Sequence, residues 1–61
     1  MLTTLAQFKQ AVQQLACLDD AYYIFEEQCS AELRDEIYAL AAANTPEPFR
    51  SAMHNMGYTN Y

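Results

Sequence analysis

Glycine occurs once in 61 residues, proline twice, histidine once and cysteine twice, and lysine and arginine together number three. Each shortage excludes something. One glycine cannot build the Gly-rich loop that cradles phosphates, and no nucleophile elbow is present. His54 stands far along the chain from both Cys17 and Cys29, so no Cys–His arrangement for nucleophilic catalysis is visible. One imidazole and two thiols fall short of the four ligands of a closed structural zinc site. The only basic residues are Lys9, Arg34 and Arg50, against eight acidic ones, for a net charge of −5. Nucleic-acid binding draws much of its affinity from Lys and Arg neutralising phosphates, and three scattered cations build no such footprint. An anionic membrane surface is disfavoured for the same reason. No run of about 18 apolar residues exists, so no transmembrane helix is expected. The opening MLTTLAQFKQ lacks the basic region and long apolar core of a signal peptide. The expected setting is the cytoplasm, with reduced cysteines.

What remains is a helical composition. Apolar residues make up 52% of the chain, and alanine, leucine, glutamine and glutamate are strong helix formers. The length allows one domain. A domain this small buries only about 60% of the surface its unfolded chain exposes, and it usually needs a staple, a partner subunit or unusually good helix packing.

Thr4 and Gln7 form a capping-box pattern, followed by Leu5, Phe8, Val12 and Leu15 on one stripe, which predicts a helix over about 5–17. Asp19 and Asp20 suit the start of a second helix, both as caps and against the positive helix end. Over 20–29, Ala21, Ile24, Phe25 and Gln28 share a face with Cys29 adjoining, while Tyr22, Tyr23, Glu26 and Glu27 lie more to the other side. Ser30 caps a third helix over 31–43, with Leu33, Ile37, Leu40 and Ala41 on its stripe. No glycine or proline separates helices two and three, so one bent helix is the alternative. Thr45 as cap and Pro46 at the first helical position open a fourth helix over 46–56, with Phe49, Ala52, Met53 and Met56 inward and Gly57 as its left-handed stop. Residues 58–61 read as a tail. The expected fold is all-α, a small bundle of three to four short helices completed by dimerisation.

Seven of the eight acidic residues lie between positions 19 and 36. Asp20 and Glu27 are two turns apart, about 10 Å along the axis, too far for one ion. Glu32 and Glu36 are one turn apart and suit weak chelation only. No Glu-x-x-His pair or calcium loop is present. The carboxylates read as helix starts and a solvated face, and no metal or cofactor is expected. His54 has no partner nearby in sequence and reads as a surface residue near a helix C-terminus. Cys17 and Cys29 would sit near opposite ends of the second helix, beyond the ~7 Å reach of a disulfide, and read as packing residues. No catalytic residue is assigned and the protein is expected not to be an enzyme.

The aromatic residues carry more information. Phe8, Phe25 and Phe49 fall on helix stripes and are expected in the core, whereas Tyr22, Tyr23, Tyr38, Tyr58 and Tyr61 fall less clearly there. Tyrosine combines apolar area with one polar tip and is enriched at interfaces. A chain this short can hide two or three such rings. The interface candidates are therefore Tyr22, Tyr23, Glu26, Tyr38 and Tyr58.

The stretches LAQFKQAV, LDDAYYIFEE and AELRDEI together resemble the small early proteins of lambdoid bacteriophages encoded between the exonuclease and excisionase genes. The resemblance covers residues 4–37 at most and contains no catalytic motif. It implies a short helical accessory protein of the infected host cytoplasm that modulates phage development or host functions through protein contacts. TPEPFRSAMHNMGY is also similar to Nif11-type leader domains, but the core peptide and cleavage motif of that family are missing. Neither resemblance assigns a role to any residue.

The expected function is an acidic protein-interaction module, a phage-type regulator that forms a homodimer and binds a host or phage protein. The alternative is a nucleic-acid-linked regulator, either a helix-turn-helix or a mimic of DNA built from the 19–36 carboxylates. Mimicry requires one continuous acidic surface, and the helix phases spread those charges over several directions. Duplex DNA should not bind. An electrophoretic mobility assay at low salt, where electrostatic binding is strongest, should show no shift at micromolar protein; a sequence-independent shift would refute this.

Overall fold

A computed structural model describes residues 1–58 of the chain. Among them, four α-helices run in the order α1 (Leu5–Val12), α2 (Leu18–Gln28), α3 (Ala31–Tyr38) and α4 (Pro48–Asn55). The expected all-helical bundle is present, with α1, α3 and α4 shorter than the periodicity suggested. The last part of the expected tail, including Tyr61, lies outside the described residues.

Local chemistry accounts for most of the helix ends. At α1 the capping box forms as read: Gln7 N–H donates to the Thr4 hydroxyl at 3.2 Å, and the Gln7 side-chain carbonyl accepts from the Thr4 N–H at 3.1 Å. At α3 the Ser30 hydroxyl accepts from Leu33 N–H at 3.2 Å. At the end of α4, Gly57 has φ of 100°, Gly57 N–H donates to His54 C=O at 3.0 Å and Tyr58 N–H to Met53 C=O at 2.9 Å. These two bonds define a Schellman motif, which satisfies carbonyls the helix leaves open.

Other ends differ from the expectation. Helix α1 stops at Val12 instead of 17, because the chain tightens into a turn in which Leu15 N–H reaches back to Val12 C=O at 3.1 Å. Helix α2 starts at Leu18, with Cys17 as an N-cap that offers no side-chain bond. Asp19 and Asp20 therefore lie within its first turn, where they face the positive helix end, and neither is the cap. Helix α3 stops at Tyr38 instead of 43. Ala41 N–H bonds to Tyr38 C=O at 3.1 Å and Asn44 takes a left-handed φ of 61°. The alanines of 41–43 favour helix by propensity, but the loop is claimed by α4. The Ser51 hydroxyl accepts from Ala42 N–H at 2.7 Å, and the Asn55 amide donates to Leu40 C=O. Helix α4 begins at Pro48, with Glu47 and not Thr45 at its N-cap. The residue before a proline is pushed out of helical conformation, so Pro48 forbids a helix that started at Pro46 from passing through Glu47.

The junction of α2 and α3 decides between separate helices and one bent helix. Cys29 and Ser30 are extended, with ψ of 146° and 161°. Leu2 lies beside them as a single parallel bridge. Its N–H donates to Gln28 C=O at 2.6 Å, and its C=O accepts from Ser30 N–H at 2.8 Å. Two helices result, because this backbone pairing takes a donor and an acceptor that a continuous helix would use internally.

The core lies where the four helices meet. Phe8, Val12, Ala21, Leu33, Ile37, Ala52 and Met53 are fully enclosed, with Phe25, Cys29 and Phe49 nearly so. Leu5, Leu15, Ile24, Ala41 and Met56 pack half-buried around them. Two residues assigned to inward stripes, Gln28 and Leu40, are exposed; Gln28 ends its helix, and Leu40 falls in the turn after α3. A domain of 61 residues has a stability of roughly 0.05–0.15 kcal/mol per residue. Truncating a buried phenylalanine costs about 3–5 kcal/mol, so Phe25→Ala should abolish the cooperative thermal transition in circular dichroism. Thr4→Ala, which removes a cap worth about 1 kcal/mol, should lower the midpoint and leave the transition intact.

Candidate interaction surface

Phe25 occupies the middle of α2, and rings from all four helices surround it. Its centroid lies 6.4 Å from Phe8 of α1, 5.7 Å from Tyr22 of α2, 5.0 Å from Tyr38 of α3 and 4.9 Å from Phe49 of α4. Tyr22 and Phe49 also touch directly, edge to face, at 5.1 Å. Such geometries exploit the ring quadrupole and add to simple burial. The phenylalanines are inside, whereas Tyr22 and Tyr38 remain 39% and 40% exposed. One aromatic cluster thus supplies both the core and part of the surface.

The two tyrosines border a cleft of about 300 Å³. Leu18 and Asp19, from the first turn of α2, lie on the same side as Tyr22. Tyr38 closes it from the end of α3. The opposite wall is the start of α4, with Glu47, Pro48, Phe49 and Arg50. The Arg50 Nε and Glu47 Oε1 are 3.6 Å apart, with their side chains 42% and 65% exposed, so the pair contributes at most about 1 kcal/mol. The lining combines the apolar Leu18, Pro48 and Phe49 with two tyrosine rings and the charged Asp19, Glu47 and Arg50.

Glu26 lies one turn beyond Tyr22 on α2. The Glu26 carboxylate favours the protonated Tyr22 phenol and pushes its pKa up to about 12; partial desolvation and the nearby Tyr38 add to it. The Glu26 main-chain carbonyl accepts from Arg34 Nη1 at 3.4 Å. Of the expected interface residues, the structure therefore brings Tyr22, Glu26 and Tyr38 together. Tyr23, 61% exposed, is displaced by about 100° around the helix axis from Tyr22. Tyr58 is half-buried, and its hydroxyl donates to Lys9 C=O at 2.9 Å, so it ties the chain beyond α4 to α1. Sequence reasoning missed the α4 wall. The signal was local, a phenylalanine directly after a helix-opening proline, but its apposition to Tyr38 depends on the loop between α3 and α4.

The remaining chemistry-bearing groups are scattered. Among the described residues, no three His, Cys, Asp or Glu side chains converge where a metal ion would be held. His54 is exposed in the last turn of α4. Both cysteines are free, Cys17 exposed and Cys29 buried. They flank the 11 residues of α2, which span on the order of 16 Å. Burial raises the Cys29 thiol pKa, and Arg34 opposes that only in part. No helix among the described residues is long and apolar enough to cross a membrane. Compared with known protein families, curated proteins and solved structures, the chain matches none.

The Tyr22 shift has a measurable consequence. Its folded pKa, about 12 against an ordinary 10.0, means the fold holds a proton that the unfolded chain releases. The stability this contributes is fully present below about pH 10 and is lost as pH rises toward 12. Tyrosinate absorbance should show a phenol ionising near pH 12, and stability to chemical denaturation should weaken between pH 10 and 12. Glu26→Gln should bring the late phenol back toward 10 and reduce the alkaline loss.

Proposed function

We propose that the protein is a small acidic helical interaction module, without enzymatic activity, that acts as a regulator by binding a host or phage protein in the cytoplasm. The observation that carries this reading is the pair Tyr22 and Tyr38, each about two-fifths exposed and each held in place by contact with the buried Phe25 ring. Rings fixed before binding lose little conformational entropy on contact, and tyrosines anchored beside a cleft have the character of interface hot spots. The resemblance of residues 4–37 to lambdoid early proteins supports the same reading.

Self-association belongs to this proposal. Tyr23 and Leu40 add exposed apolar area at 61% and 36%, and the molecule is only 17 Å across its shortest axis. A core this thin gains from a second copy, and two-fold pairing is the commonest oligomer. Successive residues on a helix diverge, which leaves the Tyr23 flank for the second copy and the Tyr22 side for a different partner.

Sedimentation equilibrium at tens of micromolar should give about twice the 7.0 kDa chain mass, and Tyr23→Ala should shift the equilibrium toward monomer. Tyr22→Ala with Tyr38→Ala should lose proteins that wild type captures from bacterial lysate. A monomeric wild type, together with a double variant that keeps its melting temperature and every captured protein, would overturn the proposal.

A further inference from the structure

We infer that the corner at Cys29–Ser30 is a hinge through which two copies of the chain exchange halves, with α2 and α3 joined into one helix and the Leu2 segment acting as the latch of the closed form. The inference goes beyond the interaction-module reading and does not rest on it, since a pair formed on the Tyr23 flank leaves the corner closed. The corner is built from borrowed partners. In a helix running through it, Ser30 N–H would donate to Glu26 C=O, Gln28 C=O would accept from Glu32 N–H, and Leu33 N–H would donate to Cys29 C=O. Instead, Ser30 N–H donates to Leu2 C=O at 2.8 Å, and Gln28 C=O accepts from Leu2 N–H at 2.6 Å. Glu26 C=O accepts from Arg34 Nη1 at 3.4 Å, and Leu33 N–H donates to the Ser30 hydroxyl at 3.2 Å. Straightening the corner leaves none of these backbone groups of α2 and α3 unpaired.

Sequence and packing both allow the straight form. The buried residues Ala21, Phe25, Cys29, Leu33 and Ile37 recur at every fourth position, and that spacing does not reset at the break. On one helix they form a continuous ridge that winds by about 40° per step. The two sides of the hinge are also cohesive. Helix α1 packs on α2 and α3 on α4, so each side is a helix pair that moves as a unit. A helix from Leu18 to Tyr38 would be ~31 Å long, beyond the 28 Å greatest extent of the molecule. Phe25 and Tyr38, whose rings lie 5.0 Å apart, would be separated by about 20 Å along its axis. One straightened chain therefore cannot keep the core. A second straightened copy supplies the missing half: the α3–α4 pair of each packs on the α1–α2 pair of the other, and the contacts across the halves are rebuilt between chains. The two forms then differ only at the corner, which is the condition under which exchange of identical elements is a low-cost route to a dimer.

The test is refolding of the full chain from denaturant at high concentration, with isotope-labelled and unlabelled chains mixed equally and the dimer fraction separated by size. In that fraction the nuclear Overhauser contact between the Phe25 and Tyr38 rings should run from labelled to unlabelled chains. The Cα shifts of Cys29 and Ser30 should change from extended to helical. Leu2→Pro removes the N–H that holds Gln28 and should raise the dimer fraction several-fold. Ala31→Pro should do the reverse. Residue 31 opens α3, where the missing N–H of proline costs nothing, and Ser30 already has the extended backbone that a following proline requires. In a continuous helix the same proline is an interior one, so the dimer should fall about a hundredfold while the monomer melts no lower than wild type. Because Ala31→Pro keeps the closed fold, the comparison stands even if Leu2→Pro proves too unstable to isolate. A wild type that refolds only to monomer would overturn the inference. So would an Ala31→Pro chain that dimerises as well as wild type, or a folded Leu2→Pro chain with no more dimer than wild type. A dimer in which the Phe25–Tyr38 contact stays within each chain overturns it too; if Tyr23→Ala then dissolves that dimer, the self-association of the interaction-module reading stands on its own.

Discussion

One ring from each helix meets the Phe25 side chain, which therefore fixes how the four helices sit on one another. The helices themselves are short, three of them only 8 residues long. Isolated helices of fewer than about 12–15 residues are marginal in water, so each depends on burying its stripe against the others. Phe25 is the point at which those burials are shared. Because Tyr22 and Tyr38 belong to the same cluster, the positions of the surface rings follow from the packing of the core. A substitution that loosens Phe25 would blur the cleft even if the helices survived.

The parts legible in the sequence were those decided within a few residues. Thr4 with Gln7, Ser30, and Gly57 act through bonds to backbone groups three to five positions away, and each works as its type suggests. The inward stripes were legible too, since Phe8, Val12, Phe25, Leu33, Ile37, Phe49 and Met53 all lie in the core. The errors arose where two local solutions compete. TPEP offers two prolines, each of which fits the first position of a helix, and only the effect of Pro48 on Glu47 separates them. The alanines after Tyr38 would support more helix, yet Ser51 and Asn55, distant in sequence, hold that stretch in a loop. The cleft was least legible. Tyr22 and Tyr38 were marked as surface rings by their helix phase, but the wall that faces them, Pro48 and Phe49, arrives only through that loop.

The acidic character of the chain also looks different once the helices are placed. Asp19 sits in the first turn of α2, where it offsets the helix end and contributes to the cleft rim. Glu47 is the N-cap position of α4 without capping through its side chain, which leaves its carboxylate near Arg50. Glu26 serves Tyr22 through its carboxylate and Arg34 through its main-chain carbonyl. All eight carboxylates are exposed, and Asp20 shares the first turn of α2 with Asp19. What distinguishes them is their neighbours along the helices, which counting charges does not reveal.

The bridge between Leu2 and the α2–α3 junction bears on how the chain is made. No residue between Gln28 and Ala31 forbids a continuous helix by its own backbone chemistry, and the break is secured by the Leu2 segment that precedes α1. On a chain that emerges from the ribosome N-terminus first, Leu2 waits for Gln28 and Ser30 to appear before it can pair. Until then α1 and α2 can form, but the decision to turn at Cys29 is deferred. This corner therefore closes only once Gln28 and Ser30 are present for the Leu2 segment to fold back onto.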